Sequence, residues 1–310
     1  MSVVGASFLK SAGSGLADYV RREQARYGVL FVLPTFIFFC IFIVWPVIYS
    51  FYLGFFDWSP LDPTPVPVGL ANYQELFGSP TFIRTIVNTL VFTVGVLVVT
   101  VVASIALAMA LNQGIRGTGI FRGLYYSPVV TSLVATGVIW LWILDPQFGI
   151  VNQVLRALGL PAPGWAADTN WAMPTVILTF AWREVGYFTV IYLAGLQGVP
   201  EELKEAARID GCNSWQVFRN VTVPLLMPTT LFVMVLCVIR ATQNSFGIVY
   251  VMTAGGPVNA TNVIVLYLYQ QAFTFFRMGY ASAVAYVLFI FIFIATMLQF
   301  RLLGKRTEIY

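Results

Sequence analysis

Apolar positions run in long unbroken blocks along this chain, and the blocks predict helices that cross a bilayer. Charge-free runs cover residues 27–56, 85–115, 123–144, 220–239 and 278–300. A helix needs about 20 residues to cross about 30 Å of hydrocarbon, and each run is long enough. A sixth run, 171–196, is interrupted by Arg183 and Glu184. It reads as a span because adjacent opposite charges inside a bundle pair with neighbours, whereas charges facing lipid are costly. The stretch beyond Arg240 to Tyr250 continues the fifth helix. An all-α membrane protein with about six transmembrane helices follows, and the short alternating segments of a membrane β-barrel do not appear.

Composition agrees. The chain is 59% hydrophobic and 10% charged, too few polar groups to cover a water-facing surface. Basic residues set the orientation, since those in short loops stay inside. Lys10, Arg21, Arg22, Arg26, Arg116, Arg122, Lys204, Arg208, Arg219, Arg301, Lys305 and Arg306 fall on one side; Arg84, Arg156 and Arg277 fall on the other. Both termini are therefore expected in the cytoplasm. The net charge of +4 is spread over four segments, with no basic stripe, so no nucleic-acid partner is read from it. The chain has no His, which excludes His-dependent metal sites and triads, and Cys40, Cys212 and Cys237 suggest no disulfide framework. The first apolar run is too long for a cleaved signal peptide.

The connecting segments are unequal. The first outer loop, 57–80, carries Pro60, Pro63, Pro65, Pro67 and Pro80 and is expected to run extended without a helix. The second, 145–170, reads as a connector with an interfacial Trp165. In the third, Gly255-Gly256-Pro257 breaks the fifth helix, and an apolar segment over 263–276 returns the chain to the last span.

Between the fourth and fifth spans lies a charged, helix-forming island, Glu201-Glu202-Leu203-Lys204-Glu205-Ala206-Ala207-Arg208-Ile209-Asp210-Gly211. Pro200 suits a first helical position, the two glutamates complement the N-terminal dipole, and Gly211 suits a left-handed C-cap. A second short helix is expected from Asn213, whose side chain forms a capping box with Gln216, and Pro224 is expected to end it. The two helices make a knob, with Leu203, Ala206, Ala207 and Ile209 available for packing and Glu205 and Asp210 for charge pairing. The alternative is a loop packed on the protein's own helix ends.

Glu205, Ala206, Ala207, Asp210 and Gly211, followed by Phe218, Val223, Pro224 and Pro228, resemble the Glu-Ala-Ala loop of permease subunits in binding-protein-dependent ABC importers. The resemblance extends from residue 28 onward. It includes Tyr125-Tyr126-Ser127-Pro128, Thr253-Ala254-Gly255-Gly256-Pro257, Thr261, Tyr269, Ala272-Phe273 and Gly279-Tyr280-Ala281-Ser282-Ala283, which are similar to the MalF-like member of the paired permeases of carbohydrate importers. Cys212 departs from the family's usual Ala, and the large outer domain of some members is absent. The resemblance implies the type I importer permease fold, with a cytoplasmic tail over 1–28, a permease domain over 29–304 containing a coupling loop over 197–227, and a tail over 305–310. It implies a multi-pass protein of a bacterial or archaeal cell membrane and no enzymatic activity or cofactor in this chain. ATP and Mg would act on two cytoplasmic ATPase subunits. The other implied partners are a distinct MalG-like permease and an extracytoplasmic solute-binding protein.

Polar residues within the fifth span complete the candidate site. Arg240, Gln243 and Asn244 fall at spacings of three and four, on one helical face, where they either line a path for a hydroxyl-rich solute or join helices to each other. Phe246 and Tyr250 either stack on a sugar ring or simply pack. Arg183, Glu184 and Asn88 read as structural. The importer reading implies a sugar, with glycerol phosphate or another polyol derivative as the alternative solute. A secondary transporter would show inverted repeats and coupling acids, yet Glu184 is the one acid well inside a span and no repeat is evident. An intramembrane enzyme would need a nucleophile with a base or metal ligands, which a chain without His supplies poorly.

Overall fold

A computed structural model describes residues 27–113 and 118–307. Residues 1–26, 114–117 and 308–310, with Lys10, Arg21, Arg22, Arg26 and Arg116 of the orientation count, lie outside the described residues. In chain order the elements are helix α1 (Tyr27–Leu53), a hairpin of β1 (Phe56–Ser59) and β2 (Asp62–Pro67), α2 (Ala71–Gly78), α3 (Pro80–Leu111), α4 (Thr118–Val130) and α5 (Leu133–Ile143). They continue with α6 (Ile150–Ala157), α7 (Ala172–Gln197), α8 (Glu201–Ile209), α9 (Ser214–Val217), α10 (Met227–Met252), α11 (Ile264–Tyr269) and α12 (Met278–Thr307). Among the described residues α1, α3, α7, α10 and α12 are each long and apolar enough to cross a membrane, and the bent pair α4 and α5 makes a sixth span if counted as one.

The core is a stack of α3, α7 and α10. Phe92, Phe180, Phe188, Tyr192, Val233 and Ile248 are fully buried there, with Phe92 and Phe180 edge to face at 5.5 Å. Several hydroxyls inside the spans, with no water to turn to, bond to helix carbonyls. Thr85 donates to Thr81 O at 2.9 Å, Thr242 to Val238 O at 2.6 Å, and Ser104 crosses from α3 to Val185 O of α7 at 3.1 Å. Helix α1 touches the bundle through its last turns, where Phe51 meets Tyr286 of α12 at 4.7 Å. The apolar window that makes it a span is wholly unburied, so its face meets lipid or another subunit.

The third span is not the single helix expected over 123–144; it bends by 103° between α4 and α5. Pro128 has no N–H and cannot continue the helical ladder. The Ser127 hydroxyl instead takes Leu124 O at 3.0 Å, the carbonyl that a residue at 128 would otherwise bond, and Thr131 Oγ1 donates to Pro128 O at 2.6 Å. The bent segment is drawn onto α7 at Gly186, where the absence of a side chain admits the carbonyl of Tyr125.

Two connectors hold more structure than their composition suggested. The proline-rich part of the first loop is extended, as the β1–β2 hairpin, but α2 follows it. Its sequence contains no proline, and tertiary contacts pin it: Leu76 is fully buried, and Asn72 Nδ2 donates to Gly54 O at 3.0 Å and Phe56 O at 2.9 Å. Glu75 pairs with Arg277 at 2.6 Å, which holds its carboxyl below the usual range. The second loop forms α6 around the buried Asn152, which donates to Pro163 O at 3.0 Å and accepts from Trp165 Nε1 at 2.7 Å.

Gly186 makes this packing testable. A Cβ there would sit 2.2 Å from Tyr125 O, so backbone must shift in Gly186→Ala, at a cost of about 1–3 kcal/mol. Thermal unfolding of the purified protein in detergent should show a lower midpoint. Gly119→Ala, which meets nothing within 4 Å, should leave it unchanged. Equal midpoints for the two variants would contradict the close approach.

Candidate functional site

Helix α8 begins at Glu201, with Pro200 at the cap position, and none of its residues is buried. Lys204 Nζ bonds Glu201 Oε2 at 2.9 Å, and Arg208 lies 3.7 Å from the same carboxylate. Lys204 thereby holds the Glu201 carboxyl below its ordinary pKa. Gly211 adopts φ +87, the left-handed cap that ends α8, and Cys212 N closes back onto Ala207 O at 2.9 Å. Asn213 and Gln216 then form the capping box of α9, with bonds of 2.9 and 2.8 Å. Pro224 does not end this second helix. The chain stays helical through a wide turn at Phe218–Thr222 and on to Leu225, because Pro224 stands in the first turn of that last piece, where no N–H is needed.

The outward surface of this knob is formed by the residues the motif picks out. Glu205, Ala206, Asp210 and Gly211 are exposed and Ala207 is half-buried. Ile209 is 87% exposed and Trp215 65%, large apolar surfaces that a chain satisfied by its own packing would cover. The inner side sits over the end of α3, across a cleft of about 430 Å³ lined by Asn112, Gln113, Lys204 and Phe218.

A second constellation lies within the bundle. Glu184 is fully buried, and three bonds converge on its carboxylate: Arg183 Nη1 on Oε1 at 2.6 Å, Arg240 Nε on Oε2 at 2.6 Å, and Arg240 Nη2 on Oε1 at 3.2 Å. Arg183 also donates to Val129 O at 3.1 Å and Thr131 O at 3.2 Å, two carbonyls freed by the bend between α4 and α5. Arg240 lies over the Tyr187 ring, 4.7 Å from its centroid. Arg240 thus joins α10 to α7, in contact with two residues, Glu184 and Tyr187, that no spacing in the sequence links to it.

Gln243 is exposed and Asn244 half-buried on the same side of α10. Phe246 and Tyr250 stack at 5.3 Å, and Phe246 also meets Tyr269 of α11 at 4.8 Å. Tyr269 in turn contacts Phe273 at 5.3 Å. Tyr269 and Phe273 extend the aromatic belt beyond the sequence-derived pair. Tyr250 reaches a cavity of about 680 Å³ at the end of the bundle away from the knob, lined also by Trp142, Asp145, Phe148, Thr253 and Pro257. The loop beside it is tied down by Asn88, which donates to Asn259 O at 2.7 Å and Asn262 O at 3.0 Å, and by Thr89, which accepts from Ile264 N at 2.9 Å.

Removing the carboxylate should expose the cluster's energetics. Glu184→Ala leaves two guanidinium groups without their shared partner, a change of about 3–5 kcal/mol for a buried pair. Purified yield and thermal midpoint should both fall, and adding Arg240→Met should recover part of the loss. A double variant no more stable than Glu184→Ala alone would show that the two side chains are not coupled.

Comparison with known proteins gives the family of the chain. The family model described as "Binding-protein-dependent transport system inner membrane component" matches residues 100–309. The probable ABC transporter permease protein YurN of Bacillus subtilis (strain 168) is 34% identical over 276 residues, 88% of this chain and 94% of that protein. The sn-glycerol-3-phosphate transport system permease protein UgpA of Agrobacterium fabrum is 31% identical over 281 residues, 90% and 95% of the two chains. Among solved structures, a chain of a bacterial ABC transporter involved in the import of the acidic polysaccharide alginate superposes with TM-score 0.75 at 26% identity, covering 92% of this chain and 98% of that one. The chain belongs to the permease family of binding-protein-dependent ABC transport systems, whose members are inner membrane components.

Proposed function

We propose that this chain forms one half of the membrane pathway of an ATP-driven importer for a sugar or related polar solute. Its knob receives the stroke of a cytoplasmic ATPase. The exposed knob carries the reading. Glu205, Ala206, Ala207, Asp210 and Gly211 present charge, small side chains and a fixed left-handed turn on a helix with no buried residue, beside an uncovered Ile209. Such a surface suits a protein partner better than solvent. The knob end and both termini are assigned to the cytoplasm, in accord with the distribution of basic residues.

Hydrolysis belongs to two separate ATPase subunits, with ATP and Mg bound there; this chain has no phosphate-binding loop motif and no cofactor of its own. A distinct MalG-like permease supplies the other half of the path, and an extracytoplasmic binding protein delivers solute to the opposite end. The host membrane is that of a bacterium or archaeon. Arg240, Gln243, Asn244, Phe246 and Tyr250 form the wall that the solute passes. Hydroxyl-rich solutes need hydrogen-bond partners, which the polar side of α10 offers, and aromatic faces suit sugar rings. The relatives named for glycerol phosphate and for alginate support a polyol or carbohydrate cargo.

Charge and geometry at the knob separate coupling from mere packing. Glu205→Lys should abolish solute uptake while the chain still inserts, since no span is altered. Gly211→Val should do the same through backbone strain, because a β-branched residue is poorly held at φ +87. Uptake by membranes holding the full complex at equal expression measures this, and normal uptake by Glu205→Lys would remove the knob from the coupling path.

A further inference from the structure

The cluster inside the bundle is electrically unbalanced. Two guanidinium groups share the one carboxylate of Glu184, which leaves a net positive charge, and every other described Asp or Glu lies outside the spans. The two arginines are not equivalent. Arg183 adds the Val129 and Thr131 carbonyls at the end of α4, where a helix presents partial negative charge, so its surroundings answer its own charge. Arg240 bonds through Nε and Nη2 and lies across Tyr187, and its Nη1 takes no part in these bonds. Its side chain remains 29% exposed, on the side of α10 that carries Gln243 and Asn244.

A cation in a low-dielectric setting is unfavourable unless an anion meets it, and charged groups within spans mark solute paths. A guanidinium presents a planar fork that matches carboxylate and phosphate oxygens. Resting on the reading of α10 as a pathway wall, we propose that Arg240 binds an anionic group on the transported solute. The cargo is then an acidic sugar or a polyol phosphate, not a neutral sugar. Gln243 and Asn244 hold its hydroxyls, and Phe246 and Tyr250 face its apolar side.

The test uses the complete transporter with its own binding protein in proteoliposomes. Paired probes differ only in charge: sn-glycerol 3-phosphate against glycerol, and a galacturonate trisaccharide against its methyl ester. The charged member of a pair should be imported in preference. Arg240→Gln should raise its apparent KM by about 10- to 100-fold, as expected for a lost hydrogen bond to a charged group, while Arg240→Lys should keep the preference. Import of the uncharged members with no dependence on Arg240 would overturn the anion and leave the importer reading intact. Import of neither class, by a complex whose ATPase responds to its binding protein, would overturn both. If Arg240→Gln fails to assemble, the wild-type comparison still decides. A transporter that assembles with Arg or with Lys at 240 yet shows no preference for charge would overturn the proposal and mean that the partner permease, not the solute, supplies the anion.

Discussion

Inside the bilayer no water is available to complete a hydrogen bond, so any break in a helix and any charge in a span must be answered from within the protein. This chain carries both, and it answers them together. The bend between α4 and α5 frees carbonyls that Arg183 collects, while the same arginine and Arg240 pair with Glu184. One fully buried carboxylate therefore holds three segments of the bundle in register: the bent third span, α7 and α10. Gly186, two residues beyond Glu184 on α7, lets the bent span approach closely enough for these bonds to form.

Helix α10 connects the two ends of the molecule. It follows directly on the helical run from α9, passes Glu184 at its middle through Arg240, and ends at the Gly255–Pro257 turn. The two ends differ in kind. At one, α8 has no buried residue, and its left-handed cap at Gly211 and the Lys204–Glu201 pair are local. At the other, the loop after Met252 is held by distant side chains, with Asn88 and Thr89 of α3 taking its backbone groups. A surface that must meet a partner is left open, and a loop rich in positive-φ residues, Ala254, Val258 and Asn259 among them, is fastened from outside.

The knob was legible because its determinants are local. Helix start, charge on the first turn, a left-handed glycine and a capping box each depend on residues within four positions, so Glu201, Gly211, Asn213 and Gln216 could be placed by spacing alone. The spans were legible because hydrocarbon accepts only long apolar runs. The connectors were misread in part. Prolines correctly marked the extended hairpin, but α2 and α6 depend on Asn72, Leu76 and Asn152 finding partners elsewhere, and composition does not reveal that.

Sequence alone determined the membrane class, the spans, the break after Met252 and the charged helix between the fourth and fifth spans, all of which follow from burial cost and local backbone preference. Only the tertiary structure decided where Glu184 spends its charge and how the third span turns. Glu184 and Arg240 are 56 residues apart, and Asn88 and Asn259 are 171 apart. Over such distances no periodicity links two side chains. Their pairing is selected when the helices pack and each buried polar group must find a partner in a medium that offers none.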